Sequence, residues 1–169
     1  MPLEIEWKFV VARIPALPRG APETTDQGYF CGGAGVPSIR VRLKGRTGAM
    51  RGTLDVKAEV PGSRREGGPQ VCREFAYEVP VADAEELLPL APWRIRKRRW
   101  TLASGIELDV FDGPHAGLVV AEMEVSQGAP APPPPPGWEW RDVSADARYV
   151  NRALAEMGVP GDAPLCRVG

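Results

Sequence analysis

Leu3-Glu4-Ile5-Glu6-Trp7-Lys8-Phe9 alternates without a break: Glu4, Glu6 and Lys8 fall on one side, Ile5, Trp7 and Phe9 on the other. A strand has a side-chain period of two, so the stretch predicts a half-buried β-strand, running on to Arg13. Its polar face is unusual. Two carboxylates and an ammonium stand in a row, roughly 6–7 Å apart at ~3.3 Å rise per residue. Carboxylates so spaced can share a hard divalent cation, and a lysine one step further can hold an anion bound to that cation. Taken alone, the stretch is better explained as the solvated face of a sheet. The rest of the chain shifts that balance.

The same grammar recurs five times. Ile39-Arg40-Val41-Arg42-Leu43-Lys44 alternates with three cations on one face, and Thr53-Leu54-Asp55-Val56-Lys57 follows after a turn over 45–52. Cys72 to Val79 places Glu74, Ala76 and Glu78 together; Ile106 to Phe111 does so with Glu107 and Asp109, and Leu118 to Val125 with Glu122 and Glu124. Asp55 is a candidate ninth acid of the charged set. Trp93 to Trp100 breaks the rule by carrying cations on both faces, with Lys97 and Arg99 joining the charged set.

Between these strands lie a surface loop at 14–26, a short strand at 27–30, a glycine-rich connection over 31–38 and a polar loop at 61–70. Asp83, with Glu86 three residues on, predicts the start of a short helix before Pro89. The proline run 129–137 reads as a stiff connector rather than a domain linker, because too little chain follows it. Ser144 or Asp146 can cap a last helix with Ala147, Val150, Leu154 and Met157 along one stripe, and the tail from 161 to 169 reads as loosely held.

At 169 residues, with 25% charged and 43% apolar residues, the chain suits one domain with a real core. A net charge of −1 gives no electrostatic case for nucleic acid or an anionic membrane. No apolar run is long enough to cross a bilayer as a helix, and the N-terminus carries acids where a signal peptide carries bases. Cys31, Cys72 and Cys166 form no metal-binding spacing and fit reduced thiols in the cytoplasm. The single histidine, His115, lies in a loop-like segment, which argues against histidine-based acid–base chemistry.

Antiparallel sheets often keep one wet face, but such faces are mixed with Ser, Thr, Gln and Asn, whereas these are almost purely ionic. A closed barrel with a charged lumen explains the pattern, since inward and outward residues alternate along every barrel strand. Acids and bases in a lumen satisfy each other only in part. A bound polyanion with divalent cations would neutralise both.

Read together, these residues resemble the CYTH domain, the triphosphate tunnel metalloenzymes, in a short bacterial-type form. The resemblance begins with the ExExK signature of Glu4, Glu6 and Lys8. It continues in order through Gln27-Gly28-Tyr29, Arg40-x-Arg42, Lys57, Glu74…Glu78, Lys97-x-Arg99, Glu107-x-Asp109, Glu122-x-Glu124 and Arg148-Tyr149-x-Asn151. It covers residues 3–158 and implies a mainly β fold: a closed eight-stranded antiparallel barrel forming a charged tunnel, with short peripheral helices. The domain then spans 1–160, followed by the tail at 161–169.

The resemblance implies metal-dependent hydrolysis of a triphosphate, with inorganic triphosphate split to pyrophosphate and phosphate as the leading reaction. Adenylate cyclase, nucleoside or thiamine triphosphatase, and a silent polyphosphate-binding module are the alternatives. Metal binding, of Mg²⁺ or Mn²⁺, falls to Glu4, Glu6, Asp109, Glu122 and Glu124. Phosphate binding falls to Lys8, Arg40, Arg42, Lys57, Lys97 and Arg99. Lys8 and Tyr29 are placed to orient or activate water, the lysine as a base only with a depressed pKa. Glu74, Glu78 and Glu107 are further lumen acids. The partner is a small polyanion, without membrane or nucleic acid, and a homodimer is compatible with the chain. One departure stands out. Similar proteins carry an acid where this chain has Ala76, so Ala76→Glu is expected to raise turnover.

Overall fold

The alternating stretches become long strands in the computed structural model, which describes residues 3–33, 35–62 and 68–169. Eight of them, β1 (Leu3–Ile14), β2 (Glu23–Gly33), β3 (Val36–Arg46), β4 (Ala49–Glu59), β5 (Gln70–Val79), β6 (Trp93–Thr101), β7 (Glu107–Phe111) and β8 (Val119–Glu124), pair antiparallel in the order β1-β5-β4-β3-β2-β6-β7-β8. β8 then pairs back onto β1, with Lys8 opposite Glu122, and the barrel is closed. Closure removes the unpaired edges that would otherwise template aggregation.

Two short helices, α1 (Val81–Leu87) and α2 (Asn151–Met157), and two minor strands, β9 (Glu139–Asp142) and β10 (Arg167–Val168), sit outside or at the end of the barrel. β9 pairs antiparallel with residues 9–13 of β1.

The outward face of β1 is the main external core. Trp7, Phe9, Val11 and Ile14 pack with Trp100, Ile106, Leu108, Val119 and Ala121. The proline-rich segment lies over this face: Trp7 Nε1 donates to the carbonyl of Ala129 at 3.2 Å, and Phe9 stacks on Trp140 with centroids 4.3 Å apart. Each such side chain taken from water is worth roughly 1.5–3 kcal/mol. The segment therefore straps the barrel. A smaller outer cluster joins α1 and the 3₁₀ turn after it (Leu88–Leu90) to β3 through Val41, Ala84 and Leu88. It depends on Gly52, where a Cβ would lie 2.9 Å from that of Ala84.

Several local expectations shift. The loop expected over 14–26 is shorter, because β2 starts at Glu23 and runs on to Gly33. The turn expected over 45–52 closes to a tight hairpin between Arg46 and Ala49. Within the connections at 31–38 and 61–70, residues 34 and 63–67 lie outside the described residues, as do 1–2 of the expected domain. α1 begins directly after Pro80 with no side-chain cap, two residues before Asp83.

The last helical segment is broken in two. Asp146 accepts from the Arg148 N–H at a short 3₁₀ turn (Ala147–Tyr149), and α2 starts separately after an extended Val150. Ser144 instead bonds the Lys8 backbone, and Met157 is 64% exposed while Tyr149 and Leu154 are buried. The tail is pinned: Arg13 and Ile14 pair with Arg167 and Val168, and the Cys166 N–H donates to the Gly117 carbonyl.

Candidate functional site

Residues on the inward parity of the barrel fall into two groups. Val10, Tyr29, Ile95, Phe111, Leu118 and Val120 join Val143, Tyr149 and Leu154 in a buried apolar cluster that fills one part of the interior. The remainder is a cavity walled by charge. Its lining contains eight cations (Lys8, Arg40, Arg42, Lys44, Lys57, Lys97, Arg99 and Arg152) against five carboxylates (Glu4, Glu6, Glu59, Glu74 and Glu122). A cavity with that excess suits a polyanion.

Lys8 sits at the centre of one ion cluster, with Nζ 3.2 Å from Glu6 and 3.1 Å from Glu122. Burial works against its charge, but the two carboxylates outweigh burial, and the ammonium holds its proton above the usual lysine range. Burial likewise opposes ionisation of Glu122, yet Lys8, Lys97 and Arg99 hold its carboxyl well below the ordinary range. Arg99 reaches Glu107, Asp109 and Glu122 together. Lys97 is hydrogen-bonded to Asp109; its burial and the neighbouring Arg99 lower its pKa despite that partner.

A second cluster lies on β3, β4 and β5. Arg40 Nε donates to Asp55 at 3.0 Å and its terminal nitrogen to Glu74 at 2.6 Å, while Arg42 approaches the same two acids at 3.1 and 3.5 Å. Lys57 pairs with Glu4, and with Glu74 at 3.7 Å. Burial pushes the Glu4 carboxyl up to about 7, with Glu6 and Glu74 adding to the push and Lys57 opposing it. Tyr29 is buried beside these groups. Its hydroxyl accepts from Gln27 Nε2 at 3.0 Å, and burial raises its pKa, so the phenol keeps its proton.

Most of the residues expected from sequence meet here: Glu4, Glu6, Lys8, Tyr29, Arg40, Arg42, Lys57, Glu74, Lys97, Arg99 and Glu122 all line the cavity. Others stand apart. Asp109 is fully buried behind Lys97 and Arg99 and outside the lining. Glu107 flanks Arg99, while Glu78 and Glu124 are exposed near the strand ends. Ala76 is exposed as well, not enclosed between Glu74 and Glu78.

Sequence reading passed over Glu59, Cys72 and Arg152, and gave Gln27 a place in the Gln27-Gly28-Tyr29 motif but no role in the site. Glu59 has the parity of Lys57, but β4 was expected to end too early. Arg152 is brought in by tertiary contact alone: it crosses β2 at Gly32, where φ is 136° and a Cβ would lie 2.5 Å from the arginine Cδ.

The donor set for a cation is oxygen from Glu4, Glu6 and Glu122, which suits a hard divalent ion. Each of these carboxylates is paired with a cation of the chain. Among the described residues no three acidic, cysteine or histidine side chains converge as a ready-made metal cage. The residues fit such an ion in chemistry, and would hold it after exchanging partners.

No family model matches the chain. It is similar to an inorganic triphosphatase of Acetivibrio thermocellus, 33% identical over 90% of this chain and 93% of that protein. One from Nitrosomonas europaea is 32% identical, over 93% of this chain and 99% of the other. The crystal structure of an inorganic triphosphatase superposes with a TM-score of 0.61 at 31% identity, covering 95% of this chain and 99% of that one. The ordered charged lumen and these relatives agree: the chain belongs to the inorganic triphosphatase family.

Proposed function

We propose that the chain is a CYTH-type triphosphate tunnel metalloenzyme of the cytoplasm, hydrolysing inorganic triphosphate to pyrophosphate and phosphate with Mg²⁺ or Mn²⁺. The observation that carries this reading is the barrel cavity with eight cations among its lining side chains. Its walls offer guanidinium and ammonium groups to phosphate oxygens, which favours a slim polyanion. Three free thiols fit a reducing compartment.

Arg40, Arg42, Lys57, Lys97 and Arg99 bind and align the phosphates, arginine by its planar fork and lysine as a point charge. Glu4, Glu6 and Glu122 would hold the metal ion, with Glu124 and Asp109 as further candidate acids. When bound, the ion neutralises charge on the phosphate oxygens. Lys8 keeps its proton and so works as a cation, orienting the terminal phosphate between Glu6 and Glu122. The Tyr29 hydroxyl, already accepting from Gln27, has its own hydrogen free to donate to a phosphate oxygen or to water. Water attacks the terminal phosphorus, the bridging P–O bond breaks and pyrophosphate leaves. Such transfer depends mainly on positioning and charge neutralisation, so a strong base is not required.

The test is phosphate release from tripolyphosphate, ATP and thiamine triphosphate, each with Mg²⁺, Mn²⁺ or no metal. Metal-dependent release, fastest from tripolyphosphate, is the expected result. Binding without turnover would identify a polyphosphate-binding module instead, and cyclic AMP from ATP a cyclase.

A further inference from the structure

Asp55 has no part in the reaction as drawn above, yet it is one of the most enclosed charges in the protein, with 1% of its surface exposed. Its Oδ2 takes three contacts: Arg40 Nε at 3.0 Å, the Arg42 guanidinium at 3.1 Å and Thr53 Oγ1 at 3.2 Å. Its Oδ1 is buried without a hydrogen-bond partner among the described residues, and so is Arg42 Nε. Leaving a buried carboxylate oxygen bare is costly, so this acid does not sit here for stability alone.

The geometry is that of a clamp. Arg40 is held on one edge by Asp55 and on the other by Glu74, which fixes the plane of its guanidinium. Arg42 is drawn to the same oxygen, with its Nε still free. The β4–β5 register sets Asp55 directly opposite Ala76, so β5 presents no charge at that level. Glu74 reaches the arginines from the level of Lys57, one inward position away.

The geometry points to Asp55 as the positioning residue that sets the Arg40 and Arg42 forks for the polyphosphate, supplying from β4 the carboxylate that β5 lacks at Ala76. This rests on the cavity being the triphosphate site. Asp55 lies outside the cavity lining and acts through the two arginines. Removing it adds net positive charge to the wall, so the ground-state hold on an anion survives. What is lost is alignment, and with it stabilisation of the transition state.

The experiment measures kcat and KM for tripolyphosphate with Mg²⁺ in the native protein, Asp55→Asn, and the double variant Asp55→Thr with Ala76→Glu. Melting temperature and the Arg40 Nε–H NMR signal are recorded for each. Asp55→Asn is expected to lower kcat tenfold or more with KM within threefold. The double variant, which moves the acid one strand over on a longer side chain, is expected to recover kcat to within threefold of native and to restore the Nε–H signal. A purely structural ion pair would lower the melting temperature and leave kcat of the folded protein within threefold, which overturns the proposal. So does a loss that the relocated acid fails to recover. If Asp55→Asn does not fold, the double variant decides: unfolded protein, or turnover below a tenth of native, overturns it. Failure of the underlying function looks different, as native protein without metal-dependent turnover. In that event, a tripolyphosphate-induced sharpening of the Arg40 signal in native and double-variant protein, absent in Asp55→Asn, supports the clamp, and an equal response in all three overturns it.

Discussion

The apolar and the ionic parts of the barrel interior are built on the same strands and the same inward parity, and they contribute opposite things. Along β1, Glu4, Glu6 and Lys8 give way to Val10; along β6, Arg99 and Lys97 give way to Ile95; along β8, Glu122 gives way to Val120. Lys97 marks the boundary, its Nζ 5.6 Å from the centre of the Phe111 ring. Burying Val10, Ile95 and Phe111 stabilises the barrel through area removed from water. Burying paired charges seldom does, because desolvation offsets most of the attraction. One part therefore holds the fold, and the other is kept for binding at a cost in stability.

The largest expected effect tests the apolar part. Phe111 is 1% exposed and packs against Tyr29, Ile95 and the C-terminal segment. Phe111→Ala should cost about 3–5 kcal/mol of unfolding free energy, from lost transfer energy plus the cavity left behind. Urea denaturation measures it. Turnover per folded molecule should change much less; a variant stable within 1 kcal/mol of native would show that the interior cluster is not a core.

The ionic part should respond the other way. Glu4→Gln or Glu6→Gln replaces a carboxylate with a poor metal ligand of similar shape, and should lower Mg²⁺-dependent turnover by on the order of 10²-fold. Melting temperature should hold or rise. Near-native rates at saturating Mg²⁺ would remove these residues from the metal site.

A smaller effect appears in the pH dependence of stability. The Glu4 carboxyl titrates at about 7 in the folded chain, against 4.5 unperturbed, because of burial first and the neighbouring acids next. Between those values the folded state keeps a proton that the unfolded state has released, so this group's contribution to stability falls as pH rises through the window. In metal-free protein, Glu4→Gln should therefore gain on native in melting temperature from pH 5 to pH 8. Parallel curves for the two proteins would mean that Glu4 ionises normally.

Much of this was legible from alternation alone, because a barrel strand must show its two faces to different surroundings. Parity placed Glu4, Arg40, Lys57, Glu74 and Glu122 on one side, and they share one cavity. Parity says which side, not which medium. It could not show that Phe111 and Val120 fill the interior at the level where the charges stop, since that depends on Tyr149 and Leu154 arriving from the far end of the chain. Nor could it show the strap of Trp138 and Trp140, or the pinned tail, which arise from long-range packing on β1. Asp55 was readable and undervalued: it shares the parity of Lys57 and lies on the same strand.

The smallest expected effect is at Ala76. From sequence, an acid missing from the middle of β5 suggests that Ala76→Glu should raise turnover. The register removes the reason. Ala76 is exposed, lies outside the cavity lining and faces Asp55, which already supplies a carboxylate to Arg40 and Arg42. A second carboxylate beside Asp55 would compete for arginines that Asp55 and Glu74 already engage, so it gains nothing while Asp55 is in place. Ala76→Glu in otherwise native protein should leave kcat within about threefold, under ~0.7 kcal/mol of barrier. Steady-state phosphate release at matched Mg²⁺ measures it. A tenfold rise would show that the wall of β5 is short of an acid after all, and that Asp55 does not fill the gap.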